Sequence, residues 1–73
     1  MGTMNAILKI RLNGAVAELE APLTLSALLR RHKLKPETVV VEHNLVVPPK
    51  DAYDAIELRD GDRVEIVKFM GGG

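Results

Sequence analysis

Apolar and polar residues alternate near the start of the chain. Leu8, Ile10 and Leu12 are separated by Lys9 and Arg11, the two-residue period of a strand with one buried face. Asn13-Gly14 follows, the pair favoured in a two-residue type I′ hairpin turn. A second strand then runs from Ala15 to about Glu20. The turn fixes the register: Leu12 faces Ala15, Ile10 faces Ala17 and Leu8 faces Leu19, all apolar. On the other face Lys9 meets Glu18, an opposite-charge cross-strand pair. Because both faces sort cleanly, the pattern predicts a hairpin.

Pro22 ends the second strand, and the period then lengthens. Thr24 is placed to cap a helix with its hydroxyl, and Leu25, Leu28 and Leu29 form a stripe at helical spacing. Arg30, Arg31, His32 and Lys33 crowd the end of this helix. An anion site is one reading. The simpler one is positive charge placed against the negative helix C-terminus, and it is preferred. Pro36 keeps the helix from resuming. A third strand is predicted over 39–42 and a turn at Asn44. A short fourth strand follows over 45–47, at an edge because Pro48-Pro49 cannot join a ladder. Lys50–Ala55 reads as a connecting segment or a single helical turn, anchored by Ile56 and Leu58. Asp60-Gly61-Asp62 is a tight turn; a calcium loop of the EF-hand kind needs more ligands and a terminal Glu at fixed spacing. The last strand covers 63–69.

The predicted order is ββαββ, an irregular link, then β. A mixed sheet of four to five strands with one main helix packed on one face buries every apolar stripe. This is an α+β class of fold, the β-grasp arrangement, with the first and last strands parallel at the centre. One sheet face stays open. If Val64 and Ile66 face the helix, Val67 and Phe69 face outward, as does Ile7. Val16 and Val40 are expected to share that side. With Met70, these residues make a candidate docking surface for a partner.

Composition narrows the chemistry. At 73 residues the chain is a single domain. It has no cysteine, so disulfides, thiolate metal sites and a thiol nucleophile are excluded. Two histidines are too few for a plausible zinc cluster, and no metal is expected. Tyr53 and Phe69 are the only aromatic residues, too few for a platform that stacks single-stranded bases. Ten basic residues balance ten acidic ones, so neither nucleic acid nor an anionic membrane is an expected partner. No apolar run approaches a membrane span or a signal segment. Ala6 stands where a myristoylation motif needs Ser or Thr. A cytoplasmic location is the default. Residues 1–3 are read as a leader outside the fold, 4–69 as the domain, and 70–73 as a flexible tail.

That tail is Gly71-Gly72-Gly73. Three extended residues reach about 10 Å and end in an α-carboxylate. A frayed terminus would look the same. So would a terminus kept thin enough to enter another protein's active site.

A resemblance bears on that choice. His43-Asn44-Leu45-Val46-Val47-Pro48, Tyr53, Leu58-Arg59-Asp60-Gly61-Asp62-Arg63-Val64-Glu65-Ile66-Val67 and the terminal glycines together resemble the bacterial ThiS family, from about Met4 to Gly73. These are ubiquitin-like sulfur carriers of thiamine thiazole biosynthesis. The Asp-Gly-Asp strand and the glycine tail are the most specific parts. Two departures stand out. Pro49-Lys50 lies where the family often has a basic residue directly after the proline, and Tyr53 lies where Trp is common. The sister group, the small subunit of molybdopterin synthase, often carries a proline pair before its glycines. Val67-Lys68-Phe69-Met70 has none, which favours the thiazole carrier.

The resemblance implies a role for the tail. The Gly73 carboxylate would be adenylated by a ThiF-type adenylyltransferase using ATP with Mg. Sulfur from a cysteine desulfurase or sulfurtransferase would turn it into a thiocarboxylate, which a ThiG-type thiazole synthase would consume. Gly72 and Gly71 would give the tail access. The carrier itself would be no enzyme, with no catalytic residue and no cofactor of its own. The alternatives are a carrier for molybdopterin or another sulfur-transfer pathway, a ubiquitin-like protein modifier, and an interaction module with an incidental tail.

Overall fold

The computed structural model describes residues 6–69. The expectations for residues 1–3 and for Met70, Gly71, Gly72 and Gly73 lie outside them. β1 (Ile7–Leu12) and β2 (Ala15–Glu20) form the hairpin in the register predicted from the turn, including Lys9 opposite Glu18. Asn13 at φ 51 and Gly14 at φ 84 are both left-handed, as a type I′ turn requires. The Asn13 side chain does a second job: its Oδ1 accepts from the Ile66 N–H at 2.7 Å.

The helix α1 (Leu25–Arg31) starts where Thr24 Oγ1 accepts from the Ala27 N–H at 3.1 Å. Leu25, Leu28 and Leu29 are buried. The helix ends before Pro36 can act. Lys33 is left-handed at φ 57, and the N–H groups of Lys33 and Leu34 return to the carbonyls of Arg30 and Leu29 at 3.0 and 2.9 Å. This is the Schellman closure, here without glycine.

β3 (Val39–His43) and β4 (Arg63–Lys68) complete a four-stranded sheet of order β2-β1-β4-β3. β1 and β4 are parallel at its centre, and the other pairs are antiparallel. α1 packs on one face over Leu8, Ile10, Val41 and Val64, all buried. Mixed sheet and single helix together make the predicted β-grasp. The strand predicted to end at residue 69 ends at Lys68, but the Phe69 N–H still reaches Thr38 O at 3.0 Å.

The predicted strand over 45–47 does not form. Asn44 and Leu45 are both left-handed, at φ 51 and 71. They turn the chain so that Val46 makes a single bridge back to His43. Pro48 and Pro49 have no N–H, so the ladder cannot continue. Lys50–Ala55 instead winds as a 3-10 helix and covers the free edge of β3. Lys50 Nζ donates to Pro36 O and Val39 O, each at 2.7 Å. Tyr53 is buried beside them. Burial pushes its hydroxyl above the usual tyrosine value, partly offset by a hydrogen bond with the Val41 backbone. An exposed strand edge invites pairing with other chains, and this segment blocks it.

Candidate functional site

Alternation along each strand decides what the open face carries. Val39 and Val41 are buried, so Val40 points outward; Val64 is buried, so Arg63, Glu65 and Val67 point outward. Ile7, Val16, Val40, Val67 and Phe69 are all exposed, on the side the sequence assigned to them.

They do not form one patch. Val40 and Val67 are in register, and Phe69 follows two residues on. Val40 and Phe69, with Val47, Pro48, Lys50 and Tyr53, line an apolar groove of about 440 Å³, and Val67 stands beside Val40 on the same face. Val16 lies two strands away, beside Arg11. Ile7 lies at the other end of the sheet: Leu12 pairs with Val64, so Val67 stands past the end of β1 while Ile7 begins it. At about 3.3 Å per residue that offset is roughly 25 Å. The grouping of Ile7 and Val16 with the other three is therefore corrected. Outward direction follows from alternation, but position along the face follows from the parallel register of β1 and β4.

The groove adjoins Phe69, the last residue before the tail. Lys50 Nζ sits 5.9 Å from the centroid of its ring, within cation–π range. Nothing in the residue pattern marks Lys50 as an anchor. The run Leu45, Val46 and Val47 has the composition of a strand, yet it is exposed and its Val47 lines the groove. Apolar residues left unpaired just before a proline pair were the available signal.

The Asp60-Gly61-Asp62 turn is structural. The Asp62 carboxylate accepts from His43 Nε2 at 2.9 Å, Asn44 Nδ2 at 3.0 Å and the Arg59 N–H at 2.9 Å. Asn44 Oδ1 accepts in turn from the Arg63 N–H at 2.8 Å. Asp60 Oδ1 takes the Lys9 N–H at 2.8 Å. Gly61 is left-handed at φ 87. Burial alone would raise the Asp62 pKa, but the hydrogen bonds from His43, Asn44 and Arg59 outweigh it and hold the carboxyl below its ordinary value. The motif residues His43, Asn44 and Asp62 thus bind one another and clasp the start of β4 to the end of β3. Among the described residues no three His, Cys, Asp or Glu side chains gather as a metal site. Nor is any described helix long and apolar enough to cross a membrane.

Comparison with known proteins adds the family. Residues 10–73 match the model of the ThiS family. The chain belongs to the ThiS family. The sulfur carrier protein ThiS of Bacillus subtilis is 42% identical over 50 residues, 68% of this chain and 76% of that protein. The thiazole synthase of Paramagnetospirillum magneticum is 39% identical over 66 residues, 90% of this chain. The chain spans about a fifth of the length of the thiazole synthases it matches. Among solved structures, the crystal structure of the thiamine biosynthesis protein ThiS from Geobacter metallireducens superposes with a TM-score of 0.76 at 36% identity. It covers 90% of this chain and 100% of that one. The four-stranded sheet and single helix described above are the ThiS β-grasp.

Proposed function

We propose that this chain is the sulfur carrier of thiamine thiazole biosynthesis and that the Gly73 carboxylate is its reactive group. The observation that carries this reading is the match to the ThiS family, which runs through residue 73. A carboxylate is a poor electrophile. A ThiF-type adenylyltransferase, using ATP with Mg, joins it to AMP and releases pyrophosphate. The terminal sulfur of a persulfide, supplied by a cysteine desulfurase or sulfurtransferase, then attacks the acyl carbon and expels AMP. A thiol cleaves the resulting acyl disulfide and leaves the thiocarboxylate. A thiazole synthase takes the sulfur. The similarity of a segment of two thiazole synthases to this chain supports that last partner.

The carrier's part is to fold, to dock and to present a narrow end. A Cβ at Gly72 or Gly73 would widen the tail and restrict its backbone. Gly71 and Met70 space the reactive end from the sheet. The groove lined by Val40 and Phe69, with Val67 beside it, supplies the docking contact ahead of the tail. Partner enzymes that supply ATP, metal and oxyanion stabilisation leave the carrier no need for catalytic side chains. A cytoplasmic setting goes with ATP and persulfide chemistry. Deleting Gly73, or amidating its carboxylate, is expected to abolish ATP–pyrophosphate exchange by the adenylating partner while the fold stays intact. Undiminished exchange with either variant would overturn the assignment to Gly73.

A further inference from the structure

The open face carries charges that the reading above leaves unused. Arg11 of β1 stands in register with Arg63 of β4. Glu42 of β3 stands in register with Glu65 of β4. All four side chains lie on the open face: Ile10, Val41 and Val64, the buried residues next to them in the strands, take the other face. Arg63 and Glu65 are alternate residues of one strand, so the two pairs form adjacent rows.

Like charges directly opposite one another destabilise a sheet. Exchanging Arg63 with Glu65 would give two attractive pairs, so the observed arrangement is the worse one for the isolated domain. Among the described residues the only ion pair within 4.0 Å is His43–Asp62, and none of the four charges is neutralised by it. Arg11 and Arg63, with Lys9 and Val16, line a depression of about 330 Å³. On the other side of the acidic row lies the Val40–Val67 pair, beside the groove lined by Val40 and Phe69. Along β4 toward Phe69 the face therefore runs basic, acidic, apolar.

We propose that these rows form an electrostatic key for a protein partner, the thiazole synthase, and this rests on the sulfur-carrier reading. The partner sets a carboxylate against Arg11 and Arg63 and a cation against Glu42 and Glu65, with an apolar side chain in the Phe69 groove. Matching three rows fixes how far along the partner's surface Phe69 sits, and hence where the tail enters. A polyanion fits poorly. Nucleic acid or an anionic bilayer laid on the arginines would also meet Glu42 and Glu65, and Glu18 and Glu20 of β2. Charge patterns of this kind act on association rate and on choice of partner more than on final affinity.

The test measures association of the whole chain with a thiazole synthase by stopped flow, at low and high salt. Arg63→Glu is expected to slow association about tenfold or more at low salt, with the gap closing as salt rises. Its melting temperature is expected to hold or rise, because Arg11 gains an opposite charge. Arg11→Glu gives the same result from the other strand. Arg31→Glu, at the end of α1, changes net charge equally and is expected to leave the rate near that of the unaltered chain. If the unaltered chain associates and both face variants associate as fast, the key is overturned while the sulfur-carrier reading stands. Equal slowing by Arg31→Glu reduces the effect to net charge and overturns it too. Salt-sensitive binding of DNA or anionic vesicles that Arg63→Glu abolishes would replace the protein partner. Failure of the unaltered chain to bind any thiazole synthase removes the functional reading and the key together.

Discussion

Replacing Asp62 with alanine tests the clasp between β3 and β4. The carboxylate accepts three hydrogen bonds, from His43, Asn44 and the Arg59 N–H, and its side chain is only 12% exposed. Hydrogen bonds to a charged group contribute about 1.5–3 kcal/mol each, but the three share one group and water can re-enter, so about 3 kcal/mol in total is a fair figure. A domain of this size has roughly 4–11 kcal/mol of stability. The loss should lower the melting temperature by about 12–24 °C. Urea unfolding and calorimetry near neutral pH measure it. Asp60→Ala is the comparison: it removes a single bond, to Lys9, and should cost about 1 kcal/mol. The pH dependence follows from the lowered Asp62 pKa. A carboxyl depressed in the folded state stabilises the fold above its unfolded value and loses that contribution as pH falls through the folded value. The gap between wild type and Asp62→Ala should therefore be full well above 3.8, the ordinary value, and narrow as the pH drops below it. A cost no larger than that of Asp60→Ala, or a gap that widens in acid, would refute the reasoning.

Three further outcomes are expected. Val67→Asp and Phe69→Asp should weaken binding to the adenylating partner in calorimetric titrations with little change in melting temperature, because both side chains are exposed. Ile7→Asp should leave that binding intact, since Ile7 sits at the far end of the sheet. Lys50→Met should cost about 1–3 kcal/mol by leaving Pro36 O and Val39 O without their charged donor, and hydrogen exchange should show the edge of β3 opening more often.

The sequence carried the hairpin because Asn13-Gly14 admits one register and both faces agree with it. Thr24 and the leucine stripe marked α1 for a similar reason: cap and period are local. What failed was also local in cause. The run 45–47 has the composition of a strand, but left-handed Asn44 and Leu45 turn it back on His43, and a leucine with positive φ leaves no trace in an apolar pattern. Lys33 ended α1 in a conformation usually given to glycine. Alternation alone turns Phe69 and Val67 outward, and both are exposed. Their separation from Ile7 was not legible, because β1 and β4 are joined by no turn and their offset is set by the packing of everything between them. The Asp60-Gly61-Asp62 motif was legible as a turn, yet its bonds to His43 and Asn44 needed the fold to bring together residues nineteen and eighteen positions apart. The tail proposed to be reactive was legible only as composition and resemblance.

The central claim is that Gly73 carries sulfur. Its most direct test is the intact mass of the chain after incubation with ATP, a ThiF-type adenylyltransferase and a persulfide source. Replacement of one oxygen by sulfur, placed at Gly73 by fragmentation and absent when ATP is withheld, is the predicted result. A mass left unchanged under conditions that convert the Bacillus subtilis carrier, or sulfur found anywhere but Gly73, would contradict it.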